Sequence, residues 1–71
     1  MKVLREVNGY KLNQGNNMAN GLFNISDEND NVSFWIDLET AEDMLTMTDA
    51  EFINDAIALI NHAMGVYNEI N

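Results

Sequence analysis

The dipeptide Asn8-Gly9 constrains the fold of this chain more than any other feature, because it separates two short strand-like segments, residues 3–7 and 10–12. An Asn-Gly pair favours a two-residue type I′ turn, in which both central residues need a positive φ angle. We therefore predict a β-hairpin at the start of the chain. In its register Glu6 faces Lys11, which forms an opposite-charge cross-strand pair.

A second hairpin is predicted from residues 22–25 and 32–38, with the turn-forming residues 26–31 between them. Alternation along these strands places six apolar side chains in one layer: Phe23, Ile25, Val32, Phe34, Ile36 and Leu38. Trp35 should then point outward with Ser33, Asp37 and Glu39. Those two carboxylates would project from one face of the strand about 6.6 Å apart. The alternatives are that the short helix that follows or another chain covers Trp35, or that the strand register is reversed.

Two helices should follow the hairpins. Residues 40–45 predict a short helix with Thr40 as its N-cap. Thr48 and Glu51 have the spacing of a capping box, which predicts a longer helix from about Asp49 to the neighbourhood of Asn68. The predicted fold is a single α+β domain over residues 1–71. A small antiparallel sheet of two consecutive hairpins is followed by a short helix and a long C-terminal helix packed on one face.

The long helix is apolar over a wide arc. One stripe should cover the sheet and comprises Ile53, Ala56, Ile57, Ile60, Met64 and Tyr67. A second stripe, Phe52, Leu59, Val66 and Ile70, is spaced by seven, seven and four residues and exceeds what one small sheet usually hides. This second stripe either packs on the short helix or forms a homodimer with a second copy of the chain.

The charge distribution is strongly one-sided, with 12 acidic and 3 basic residues and a net charge of −9. The only bases are Lys2, Arg5 and Lys11, and ten of the acids lie between Asp27 and Asp55. Direct binding to nucleic acid or to an anionic membrane needs basic groups, which are missing here. A basic protein partner is favoured instead, because complementary charge speeds association. The alternative is that the acidity only keeps a small protein in solution.

A metal or cofactor is not expected. The chain has no cysteine, so thiolate sites and disulfides are excluded. Asp27, Asn29 and Asn31 match the opening of an EF-hand loop, but Val32 and Leu38 occupy the positions that need glycine and a bidentate glutamate. The sequence therefore argues against a calcium site of this type.

Enzymatic activity is also not expected. His62 is the single histidine and lies on the polar side of the long helix, and the serines Ser26 and Ser33 have no histidine near them in sequence. A chain of 71 residues is too short to form a sizeable cleft of the kind that acid–base catalysis requires. The N-terminus lacks a signal-like apolar run, and no segment could span a membrane, so we expect a cytoplasmic protein.

Small size, acidity, abundant asparagine and the lack of cysteine resemble, in general type, the accessory proteins of phages and mobile elements. Some of those proteins inhibit DNA-binding host enzymes by imitating the charge of DNA. We therefore predict a non-enzymatic binding protein that inhibits or modulates a basic, nucleic-acid-handling partner. Its predicted partner-binding residues are Trp35, Asp37, Glu39, Glu42, Asp43, Glu51 and Asp55.

Two further interpretations remain open. Several of these acids begin predicted helices, where a negative charge stabilises the helix N-terminus, so their role could be purely structural. The chain could also be a homodimeric structural or assembly protein whose long helix forms the interface and whose acidity serves only solubility.

Overall fold

The fold is α+β, as predicted, in a computed structural model that describes residues 1–70 and the side chains of residues 1–69. An antiparallel sheet of three strands in the order β1-β2-β3 is followed by a short helix and a long one. The elements are β1 Lys2–Val7, β2 Tyr10–Gln14, β3 Phe23–Ser26, α1 Leu38–Thr46 and α2 Asp49–Ile70, with a 3-10 turn at Asn17–Ala19.

The first hairpin has the predicted turn and register. Asn8 and Gly9 have φ angles of 50° and 85°, as a type I′ turn requires. Glu6 pairs with Lys11 across the two strands. Gly9 is buried, and a Cβ atom at this position would collide with the side chain of Glu28. The turn that follows β3 therefore packs against the first hairpin turn, and only glycine fits between them.

The hydrophobic core lies between one face of the sheet and both helices. Its buried residues come from β2, β3, α1 and α2, but not from β1. They are Leu12, Phe23, Ile25, Ala41, Met44, Phe52, Ala56 and Ile60. The pairing of Leu12 with Ile25 places these two side chains on the same face of the sheet. Residues of both helices pack against this face of the sheet. The opposite side of α1 is exposed to solvent.

The long helix is rotated relative to the prediction. Its buried face combines members of both predicted stripes, Phe52, Ala56 and Ile60, with Ala63, which belongs to neither stripe. Their spacing of three or four residues marks the centre of the apolar arc. Ile57, Met64 and Tyr67 are exposed, so the prediction that they cover the sheet is wrong. Gly65 does not end the helix, which continues to Ile70. The side chain of Ile70 lies outside the described ones.

The second strand of the second hairpin is not a regular strand, and this prediction is wrong in detail. Residues 32–38 form only two isolated β-bridges, from Val32 to Ser26 and from Ile36 to Phe23. Between the bridges, residues 33–35 lie opposite residues 24–25, so the segment carries one extra residue. An extra residue produces a bulge and breaks the alternation of side chains.

The bulge changes which side chains are buried. Ser33 is buried at 7% exposure, whereas Val32, Phe34 and Leu38 are exposed, contrary to the predicted apolar layer. Ile36 alone of the predicted residues in this segment packs against the core. The Ser33 hydroxyl accepts the Ile25 N–H at 2.8 Å, in the place of a backbone carbonyl. The Ser33 side chain thus replaces a backbone carbonyl in one hydrogen bond between the two segments.

The start of α1 also differs from the prediction. Asp37, not Thr40, is the N-cap, and its Oδ1 accepts the backbone N–H of Thr40 at 2.9 Å. Asp37 reaches this N–H three residues further on, as an N-cap does, so the helix begins at Leu38. Asp37 and Glu39 therefore do not form a carboxylate row on a strand.

The start of α2 is as predicted. The Glu51 N–H donates to Thr48 Oγ1 at 3.2 Å, and the Thr48 N–H donates to Glu51 Oε1 at 3.2 Å. These reciprocal bonds are the capping box.

Candidate protein-binding surface

Helix α1 is held at both ends although it has only nine residues. The Asp37 carboxylate caps its first turn. At its C-terminus, Arg5 Nη1 donates to the carbonyl oxygens of Met44 at 2.7 Å and Met47 at 2.8 Å. These bonds satisfy carbonyls that a helix end leaves without partners. An isolated helix of this length would be marginal, so the caps and the buried Ala41 and Met44 fix its position.

Arg5 is fully engaged in this structural role. Its Nη2 lies 2.9 Å from Asp49 Oδ1, and its Cζ lies 4.8 Å above the centre of the Phe52 ring. The side chain is only 18% exposed. The pair of Arg5 and Asp49 is the one ion pair within residues 1–70. The single arginine is therefore unavailable to neutralise the acids on the outer surface.

Three acidic side chains form a row on the exposed side of α1. Glu39, Glu42 and Asp43 are all exposed, and Glu42 and Asp43 lie three and four residues after Glu39. Side chains at these spacings are neighbours on a helix, so the like charges repel one another. Neither Glu42 nor Asp43 belongs to the first turn, where a carboxylate would favour the helix dipole. Repulsion within the row lowers the stability of the fold, and neither Glu42 nor Asp43 has a structural role that offsets this loss.

Two leucines lie beside the acidic row. Leu38 is 55% exposed and Leu45 is 43% exposed. Seven residues of helix place them on nearly the same side, about 10.5 Å apart along the axis. Trp35, at 49% exposure, precedes the cap of the same helix by two residues. We call this set the α1 face, and it consists of Trp35, Leu38, Glu39, Glu42, Asp43 and Leu45.

The sequence-based prediction missed the two leucines of the α1 face. Strand alternation through residues 32–38 predicts Leu38 in the sheet core, but the bulge ends the alternation before this residue. Once the N-cap is placed at Asp37, the seven-residue spacing from Leu38 to Leu45 is the signal that identifies the exposed stripe. The predicted exposure of Trp35 agrees with the structure, although a bulge rather than strand alternation produces it.

The seven predicted partner-binding residues fall into two groups. Trp35, Asp37, Glu39, Glu42 and Asp43 lie within nine consecutive residues around α1. Glu51 and Asp55 lie in the first two turns of α2 instead. Glu51 is engaged in the capping box, so it has a structural function of its own.

Two helix-capping carboxylates have lowered pKa values. The pKa of Asp37 is lowered first by the backbone N–H of Thr40 and then by the Thr40 side chain. The pKa of Glu51 is lowered chiefly by the Thr48 hydroxyl, which lies 2.8 Å from Oε1, and then by the Thr48 backbone. Hydrogen bonds to the charged form hold both groups ionised to lower pH.

The turn after β3 is built around Asp27. Its Oδ1 accepts the N–H groups of Asn29 and Asn31, both at 2.9 Å, and its Oδ2 accepts the Asn31 side-chain amide at 3.0 Å. The Asn31 side chain is the main cause of the lowered pKa of Asp27. This carboxylate is thus committed to the turn, and in the part of the chain that the structure describes no three acidic or histidine side chains are grouped to hold a metal.

The side chains considered for catalysis have other partners. His62 packs edge-on against Phe34, with 5.8 Å between the ring centres. The Ser33 hydroxyl bonds to the backbone of Ile25 and Phe34. A cleft of about 110 Å³ between the two turns at the end of the sheet is lined by Asn8, Gly9, Tyr10, Asp27, Glu28 and Asn29. It is smaller than the usual small-molecule site and contains neither histidine nor serine.

No helix among the described residues is long and apolar enough to cross a membrane. Comparisons with protein-family models, with curated proteins and with solved structures found no match to this chain. Its function is therefore argued from its own residues, and the α1 face is the candidate site.

Proposed function

We propose that this protein is a non-enzymatic binding protein of the cytoplasm that inhibits or modulates a basic, nucleic-acid-handling partner. Its acidic surface would occupy the basic site that otherwise contacts phosphates, in the manner of a DNA mimic. The alternative use of the acids, solubility alone, does not require them to lie side by side on one short helix.

The observation that carries this proposal is the arrangement of Arg5 and the acids. Asp49 is the one acid that forms an ion pair within residues 1–70, and its partner Arg5 is turned inward. The acidic row of α1 has no base opposite it. Uncompensated charge of this kind attracts a basic partner and raises its association rate, and salt screens the attraction at separations beyond about 10 Å at moderate ionic strength.

The proposal also agrees with which polar side chains are already engaged within the fold and which side chains are exposed. The Ser33 hydroxyl and the His62 ring are engaged in packing and backbone bonds, as described above. The exposed side chains include carboxylates and large apolar groups, both of which occur in protein interfaces.

The test is capture of proteins from a lysate of the source cell or its phage host. Immobilised wild-type protein should retain a basic protein at low salt, and high salt or an excess of duplex DNA should release it. The matched variant combines Glu39→Gln, Glu42→Gln and Asp43→Asn, which keeps the shape of α1 but removes its charge. This variant should lose most of the captured protein.

Release by duplex DNA is the decisive part of the test. A captured protein that resists duplex DNA, or that the neutralised variant retains equally well, would contradict the proposed function.

A second candidate function is homodimerisation through α2. The observation in its favour is a strip of the exposed Ile57 and Met64 beside the half-buried Ile53. Of the residues predicted for this interface, Phe52 is fully buried in the single chain, and Leu59 and Val66 are half-buried. Sedimentation at micromolar concentration separates the two functions. A dimer that dissociates in Ile57→Asp but not in Leu45→Asp would favour the structural or assembly role.

A further inference from the structure

We infer that the α1 face binds one kind of element, a basic amphipathic helix of the partner. This inference rests on the proposed function and specifies the chemistry of the partner surface. The apolar side of the partner helix would lie along Leu38 and Leu45, and its lysine or arginine side chains would meet the acidic row.

The arrangement of side chains on α1 carries the inference. Leu38 and Leu45 lie almost in line on α1, and Glu42 lies between them along the axis and about 50° around the helix. Glu39 and Asp43 lie further around on the same side, so an apolar row and an acidic row adjoin. Imitating the charge of a nucleic-acid backbone requires only the acidic side chains. It therefore does not explain why two leucines are exposed beside them. A helix with one apolar and one basic row complements both rows at once.

The length of the apolar row fits a helix rather than a single inserted side chain. The two leucines are separated by about two helical turns. Apolar residues at positions i, i+3 or i+4, and i+7 of a partner helix repeat over the same distance. Trp35 lies two residues before the cap of α1, and its half-exposed ring is the kind of aromatic anchor that dominates many interfaces.

The rigidity of α1 favours such binding. Asp37 at one end and Arg5 at the other hold the helix before any partner arrives. A preordered surface loses less conformational freedom on association, so more of the contact energy appears as affinity.

The experiment uses two synthetic peptides of about 18 residues made only of leucine and lysine, with the same composition. In the first, leucines recur at i, i+3, i+4 and i+7, which gives one apolar and one basic face. In the second, the order is scrambled so that the leucines surround the helix. Binding to the full chain is followed by the emission of Trp35, the single tryptophan. The amphipathic peptide should bind about tenfold more tightly and shift this emission to shorter wavelength.

Two double variants locate the site. Leu38→Ser with Leu45→Ser should remove the difference between the peptides. Ile57→Ser with Met64→Ser, which removes similar apolar area from α2, should preserve it. Amide chemical shifts of the wild-type chain give an independent map if the leucine variant is poorly folded. The amphipathic peptide should shift residues 35–46 most.

Three results would overturn the inference. If both peptides bind equally and the leucine variant is unaffected, charge alone directs binding, so the inference fails while the proposed function stands. If the α2 variant loses the difference, or if the largest shifts fall on α2, the apolar site is not the α1 face. If neither peptide binds at low ionic strength, the inference fails, and the capture and duplex-DNA release test decides the proposed function separately.

Discussion

The Nη1 of Arg5 donates a hydrogen bond of 2.7 Å to the carbonyl oxygen of Met44, 39 residues away. This contact joins the edge strand β1 to the end of α1. Because the same guanidinium also reaches Asp49 in the first turn of α2, Arg5 connects the sheet to both helices. The residue that could have neutralised the acidic surface instead fixes the helix that displays it.

Replacing Arg5 by methionine should lower the free energy of unfolding by roughly 2–3 kcal/mol, because two helix-end carbonyls lose their charged donor. Arg5→Lys should recover only part of this loss, since an ammonium lacks the planar fork of donors. Urea unfolding measures both variants. Lys2→Met, which removes an equal charge from an exposed position, should change stability by no more than about 0.5 kcal/mol. Equal losses in Arg5→Met and Lys2→Met would show that the carbonyl contacts are unimportant.

The cap of α1 should make stability depend on pH. The pKa of Asp37 is lowered in the folded state, so its stabilisation is complete above the unfolded-state value of about 4 and is lost as the pH falls through the lower folded-state value. Asp37→Asn retains a capping side chain but cannot titrate. The melting temperature of the wild type relative to Asp37→Asn should therefore fall below about pH 4.

The control for the cap is Asp55→Asn, which removes an exposed carboxylate from α2 without removing a cap. A melting-temperature difference that is the same for both variants at every pH would argue against Asp37 as the cap. Thr40→Ala should leave the start of α1 in place, because the Asp37 carboxylate accepts the backbone N–H of that residue.

Ser33→Ala should destabilise the protein by about 1–3 kcal/mol, since the buried N–H of Ile25 would lose its acceptor. Amide exchange at Ile25 should accelerate in the same variant. The comparison is Thr46→Ala, whose hydroxyl is exposed at the end of α1 and should matter by no more than about 0.5 kcal/mol. Wild-type stability in Ser33→Ala would mean that the bulge is not held by this hydroxyl.

Binding kinetics should separate the roles of Trp35 and the acids. Trp35→Ala should leave the association rate unchanged but speed dissociation, at a cost of about 2 kcal/mol if the ring fills a pocket of the partner. Glu39→Gln with Asp43→Asn should slow association and flatten its salt dependence, because rim charges act mainly on encounter. Surface plasmon resonance against the captured partner, at several salt concentrations, gives both rates.

Both kinetic variants should retain the wild-type circular dichroism, since all three side chains are exposed and the cap at Asp37 is untouched. Unfolding of Trp35→Ala would contradict the exposure of this side chain. Equal effects of the two variants on association would contradict the division between anchor and charge.

Millimolar calcium should leave the melting temperature unchanged, because the Asp27 carboxylate is already bonded within its own turn. Asp27→Ala should lower the melting temperature equally with and without calcium, through loss of those bonds. Differential scanning fluorimetry measures all four conditions. A calcium-dependent rise of several degrees that disappears in Asp27→Ala would show that the turn binds the ion.

Several features could be predicted from the sequence because they depend on residues close together in the chain. The Asn8-Gly9 turn needs only the φ preferences of its two residues, and the register of the pairs next to it, as far as Arg5 and Leu12, follows from its length. The capping box of Thr48 and Glu51 is complete within four residues. The α+β class and the acidic, base-poor surface likewise follow from local pattern and composition.

The tertiary structure decided which side chains those elements display. Alternation predicts a strand's faces only while the backbone ladder continues, and one extra residue opposite β3 ended it. That bulge buried Ser33, which reaches Ile25 across eight residues of sequence. It also left Phe34 and Trp35 exposed together. Arg5 found its partners 39 to 44 residues away, a pairing that no local pattern encodes. The sequence by itself thus determined the acidity of the protein, its first hairpin and the start of α2, whereas packing determined the bulge and left Leu38 and Leu45 exposed beside the acids.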